Sequence, residues 1–229
     1  MNVNDVDSRV VESGEDRLKL IFERQKELME KYHDIEKANG LLQTPDVPVD
    51  LHDRRGQARI KDFAWRITEE LAEAVWASEE LAEEGPEWDR VHVQEEVADA
   101  LHFLVELAIL AGVGPVRIIR EFPQFIEPGR DSLNSLYNKA RHTTHCSHTP
   151  EESFTKFIAQ LGMVCHLLKN KPWKQSQMLT DIQMLEKRLS WAFVKFMAFC
   201  ISINLDPDKL FDLYYRKSEV NKFRQRSNY

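Results

Sequence analysis

Apolar residues recur at steps of three and four along most of this chain, and no segment sustains the two-residue alternation of a half-buried strand. That period implies an all-α fold, a helical bundle in which each helix turns one stripe inward. Leu18, Ile21, Phe22, Leu28, Met29, Tyr32 and Ile35 mark a first helix over 15–38, and Asn39-Gly40 gives it a stop that tolerates left-handed backbone. Residues 41–56, with Pro45, Pro48 and Gly56, read as a loop. A long helix is expected over 57–84, ending at Gly85-Pro86, and a third from Trp88 or Asp89 to Ala111. Between 116 and 150 the pattern supports only a short helix, over 132–141. Thr149-Pro150-Glu151-Glu152 then has the form of a capped start, opening a helix through Phe157, Leu161 and Leu168. A further helix is expected over 175–203. After Asp206-Pro207, a last one runs through Tyr214 toward Phe223.

With 229 residues, the chain can bury a substantial core. Its formal charge of -7, from 31 Lys and Arg against 38 Asp and Glu, gives no broad basic surface, so no stable duplex nucleic-acid partner is expected. The first residues are polar and acidic and suggest neither a signal peptide nor a membrane anchor. The apolar stretch from Trp191 to Leu205 is interrupted by Lys195 and reads as a buried helix. Cys146, Cys165 and Cys200 form no close pair, and their odd count argues against a disulfide scaffold.

Two acidic runs stand out because they enter apolar stripes. At 100° per residue, Phe63, Ile67, Leu71 and Ala74 define an inward sector; Glu70 falls inside it, Glu73 on its edge, and Glu69 toward solvent. Glu96 and Asp99, three residues apart, share one side of the next helix, which continues as Phe103 and Leu110. A carboxylate on such a stripe needs a metal, a cation or a proton to offset lost hydration. If the two helices pair antiparallel, Glu70, Glu73, Glu96 and Asp99 converge on hard divalent cations. Oxygen ligands suit Mg²⁺ better than sulfur-loving metals.

Glu69-Glu70-x-x-Glu73 followed by Glu96-x-x-Asp99 resembles the all-α nucleoside triphosphate pyrophosphohydrolase superfamily, and His102-Phe103 resembles its dimeric dUTP pyrophosphatase branch. The tail is similar too, with Tyr214-x-x-Lys217, Asn221 and Arg224-Gln225, as is Phe22-x-x-Gln25 near the start. Ser218 stands where the branch has an asparagine. The resemblance implies a flexible segment over 1–14 and one catalytic domain over 15–229, with 112–175 matching weakly. It implies a homodimer, in the cytoplasm or, for a viral protein, the host-cell cytoplasm. It further implies Mg²⁺-dependent hydrolysis of a deoxynucleoside triphosphate, dUTP, to dUMP and pyrophosphate, with dUDP an additional candidate. Two or more Mg²⁺ ions would be held by Glu70, Glu73, Glu96 and Asp99, with water attacking the α-phosphorus and Glu73 taking its proton. Gln25 would meet the pyrimidine, and Lys217 and Arg224 the phosphates, with Asn221 supplying polar contacts.

Two alternatives remain open: a pyrophosphohydrolase for dCTP, a modified pyrimidine nucleotide or a broader nucleotide set, and a helical nucleotide- or metal-binding module without turnover. A di-iron centre is disfavoured because the repeated Glu-x-x-His motif is missing. His142, His145, Cys146 and His148 read as a polar loop rather than a zinc site. His102 reads as a packed, hydrogen-bonded histidine; Trp65, Trp76, Trp88, Trp173 and Trp191 read as core packing, with a base-stacking platform among them the rarer alternative.

Overall fold

The computed structural model describes residues 1–227 except 13, 41–45, 85–87, 127–130, 144–148 and 172; within 78–84 and 88–90 it describes the backbone alone. Among the described residues there is no strand. The helices are α1 (Arg17–Ala38), α2 (Arg54–Glu84), α3 (Trp88–Leu110), α4 (Pro115–Arg120), α5 (Ser132–Thr143), α6 (Pro150–Leu167), α7 (Ile182–Ser202) and α8 (Pro207–Arg226).

Most helix starts are where short acceptors preceded the apolar period. Asp16, Thr149, Asp181 and Asp206 each accept the backbone N–H three residues on, a cap worth about 1 kcal/mol. Three departures from the sequence reading have a visible cause. First, α2 begins at Arg54 because the Asp53 carboxylate accepts from Arg55 N and Gly56 N. Second, α7 begins at Ile182, well after residue 175, because the preceding strip is pinned from elsewhere: Asn170 exchanges two hydrogen bonds with the Met178 backbone. Third, α4 was not expected, although Gly114-Pro115 gives it a proline in the first turn.

The phenyl rings of Phe63 and Phe103 meet edge to face at 6.0 Å, and seven residues on along α2, Glu70 meets Glu96, seven residues back along α3. The two helices therefore run antiparallel. The deepest part of the core is α7, whose Phe193, Phe196, Met197 and Phe199 are fully buried among α3, α5 and α6. On the other side, α8 lies along α1 and α3. No single helix among the described residues is long and apolar enough to cross a membrane.

The segment before α2 is held by buried amides rather than by apolar mass. Gln57 donates to Leu51 O (2.8 Å) and Thr180 Oγ1 (3.1 Å) and accepts from Asn170 N (2.8 Å). Asn170 Nδ2 also donates to His52 O at 2.7 Å. Gly56 is obligatory in this clasp, since a Cβ there would lie 2.2 Å from Asp50 O.

Near the N-terminus, Val3 is buried, and Arg216 on α8 donates to Ser8 Oγ at 2.5 Å. Three tryptophans depart from the expected core packing, and the side chain of Trp88 lies outside the described residues. Trp65, Trp76 and Trp173 are 61%, 64% and 76% exposed, while Trp191 is half-buried against Phe122. Cys200 is buried and Cys165 half-buried, both free thiols. His142, in the last turn of α5, has Nδ1 on Asn138 O at 2.8 Å; His145, Cys146 and His148 lie outside the described residues.

Candidate active site

The antiparallel pairing of α2 and α3 brings Glu70, Glu96 and Asp99 together, one carboxylate oxygen from each lying within 4.8 Å of the others. Each is half-buried. Glu73, one turn along α2, is exposed and outside this trio, yet close enough for its charge to act on Glu70. Glu69 faces solvent, as its position on the wheel predicts, and accepts from Trp65 Nε1 at 2.7 Å.

Burial and crowding together disfavour the Glu70 anion. Its carboxyl is pushed up to about 8, first by desolvation, then by the Glu96 hydrogen bond and the Asp99, Glu96 and Glu73 charges. Asp99 is also raised, by burial that outweighs the pull of Lys217. Three oxygen donors at these separations, short of protons or cations, suit a hard divalent ion.

The structure puts one internal cation among them. Lys217, 6% exposed, reaches Asp99 Oδ2 at 2.7 Å and lies 3.9 Å from Glu95 Oε2. It was expected at outer phosphates; in this structure it is paired with the acid cluster. The reason is how firmly α8 is clamped to α1. Arg24 donates to Ser218 Oγ at 2.9 Å, pairs with Glu219 and stacks over Tyr215 at 5.1 Å, while Lys222 meets Glu27 at 2.6 Å. Ser218, at the branch's asparagine position, is fully buried and donates to Tyr215 O at 2.6 Å. Asn221 is half-exposed and Arg224 exposed on the same helix, the Arg224 charge opposing in small part the rise of the Asp99 carboxyl.

Behind the acids lies a buried polar chain that ties α1, α3 and α8. Gln25, 2% exposed, donates through Nε2 to Glu106 Oε2 at 2.9 Å. Its Oε1 receives Tyr214 OH at 2.8 Å and meets His102 Nδ1 at 2.7 Å. His102 stacks on Tyr214 with ring centroids 4.0 Å apart, a packed histidine as its sequence position suggested. Burial, with help from Lys217, drives its imidazole down to about 3, so the ring is neutral. Its Nε2 is buried with no hydrogen-bond partner among the described residues, while the Tyr214 backbone carbonyl acts on the ring and opposes the downward shift. Glu106 is pushed up to about 7 by burial, against the Gln25 hydrogen bond and the Arg59 charge.

Sequence reasoning passed over Glu106 and His92, whose Nδ1 lies 3.1 Å from Glu96. A signal existed for each: Glu106 is a lone acid in the run Leu104-Val105-Glu106-Leu107-Ala108, and His92 precedes Glu96 by one turn.

A protein-family model described as dUTPase matches residues 17–229, nearly the whole chain and every residue of this site. The chain belongs to the dUTPase family. It is an enzyme that hydrolyses dUTP to dUMP, and the region 112–175 lies inside the match. No curated protein and no solved structure matches it significantly. For this dUTPase the acid trio is the group of described residues able to hold a metal ion.

Proposed function

We propose that this dUTPase is a Mg²⁺-dependent homodimer with one catalytic domain over 15–229, cleaving dUTP between the α- and β-phosphates to release pyrophosphate, and accepting dUDP as well. The observation that carries this reading is the trio Glu70, Glu96 and Asp99, crowded enough to push Glu70 up to about 8. Such a cluster is poorly balanced until a divalent cation neutralises it.

In this reading Glu70, Glu96 and Asp99 hold Mg²⁺, with Glu73 completing the set from the rim. When bound, the metal supplies charge neutralisation along the triphosphate and raises the acidity of water. The protein's groups do the rest. Glu73, exposed and beside the trio, takes the proton of the water that attacks the α-phosphorus. Lys217 exchanges Asp99 for a phosphate oxygen, and Arg224, on the same helix, offers a two-pronged contact to another. Asn221 adds a polar contact. Gln25 has one amide N–H left after its three internal bonds and gives it to a pyrimidine carbonyl.

A nucleotide panel with and without Mg²⁺, detecting pyrophosphate and single phosphate separately, tests this. Preferential conversion of dUTP with pyrophosphate release is expected; release of single phosphates from dUTP excludes the α-attack, and dCTP preference would move the pyrimidine assignment.

A further inference from the structure

Asp99 faces two demands at once. Lys217 Nζ lies 2.7 Å from its Oδ2, and the same carboxylate is one of the three whose oxygens gather within 4.8 Å. A carboxylate drawn to a divalent ion loses much of its net pull on an ammonium. Lys217 is 6% exposed, so water cannot take over the solvation of its charge. A buried charge stripped of its partner is strongly destabilising.

A second acid stands close by. Glu95 precedes Asp99 by one turn of α3, which puts the two on one side of that helix. Its Oε2 is 3.9 Å from Lys217 Nζ, beyond hydrogen-bond range and within reach as an ion pair. Closing that gap takes roughly 1 Å of movement at the tip of a flexible four-carbon stem, with no shift of either helix. Glu95 lies outside the metal-competent trio, and among the described residues Lys217 is the cation paired with it.

We propose that Glu95 is a positioning residue for Lys217: it takes over the ammonium when Asp99 turns to the metal, so that the lysine stays charged and in place beside the ion. An ammonium carries three donors, so one given to Glu95 leaves others for a phosphate oxygen. Without Glu95 the same lysine holds on to Asp99 and competes with the cation. The handover rests on the reading of Glu70, Glu96 and Asp99 as Mg²⁺ ligands, whereas the second seat is a property of the metal-free protein.

Two measurements separate these parts. The first is calorimetric Mg²⁺ affinity without nucleotide in the unsubstituted enzyme, E95Q, K217M and the double variant. E95Q should weaken binding roughly tenfold, and less than about threefold once Lys217 is already methionine. An equal loss in both backgrounds makes Glu95 a source of general negative charge and overturns the handover. The second is chemical denaturation of the metal-free protein. With Asp99 present, E95Q should change the unfolding equilibrium constant less than about threefold; in D99N, where Glu95 is the lysine's remaining acid, it should raise it about tenfold or more. Equal effects in the two backgrounds overturn the second seat. Absence of Mg²⁺ binding in the unsubstituted enzyme overturns the metal reading and the handover together, while denaturation still decides the pairing; if D99N does not fold, the calorimetric cycle decides alone.

Discussion

Two groups of polar side chains lie in this bundle, and they are treated in opposite ways. Around Asn170, Gln57 and Thr180 every carbonyl, amide and hydroxyl named has a partner: Thr180 Oγ1 donates to Leu51 O at 2.6 Å while receiving Gln57, and Asn170 is closed on both its oxygen and its nitrogen. Around Glu70, Glu96 and Asp99 like charges face one another, with one lysine to three acids. A satisfied network fixes a loop; an unbalanced one keeps affinity in reserve for something that arrives later. The contrast separates what holds the molecule together from what it works with.

The largest expected effect comes from breaking the unbalanced side. Glu70→Gln should lower kcat/KM for dUTP about a thousandfold, equivalent to about 4 kcal/mol of lost transition-state stabilisation. The same change should raise the melting temperature of the metal-free protein between about pH 4.5 and 8, because an amide needs no proton to sit beside the other two acids. A fall in both would show that Glu70 is structural.

On the satisfied side, Asn170→Ala removes three side-chain hydrogen bonds to His52 and Met178. Stability should drop by roughly 3 kcal/mol, with a melting temperature lower by about 6–12 °C, while metal affinity measured calorimetrically at low temperature is retained.

A smaller effect follows from pH. Because the folded value of Glu70 is raised from 4.5 to about 8, the folded state keeps a proton that the unfolded chain releases. The metal-free protein should therefore lose stability as pH rises from about 4.5 through 8, and the loss should be complete above that window. Thermal melts across this range should show the decline, and Glu70→Gln should flatten it.

Smallest of all, Lys217→Met should tighten Mg²⁺ binding roughly fivefold without nucleotide and weaken dUTP binding with it. An unchanged metal affinity would separate Lys217 from the trio's balance.

The acid pair was legible because Glu70 and Asp99 interrupt apolar stripes, and helical spacing alone shows which acids share a face. Glu106 interrupts one as plainly, but its partner Gln25 lies 81 residues earlier, and periodicity says nothing about which helix α1 will lie against. Lys217 was visible as a functional cation, yet its seat on Asp99 depends on the roll of α8 along α1, set by Arg24, Ser218 and Glu219. The start of α7 escaped for a related reason. The composition of residues 175–181 permits helix, and only Asn170, brought in by tertiary contact, ties Met178 into another path. Local rules found the elements that local forces decide; the remainder waited on long-range hydrogen bonds.

The clamp between α1 and α8 joins side chains made 194 residues apart. Until α8 emerges from the ribosome, the three facing acids have no lysine among them and His102 has no tyrosine to stack on. A message stopped before codon 217 would thus yield a folding intermediate with an open anionic mouth, a species that quality control would meet rather than a slow enzyme.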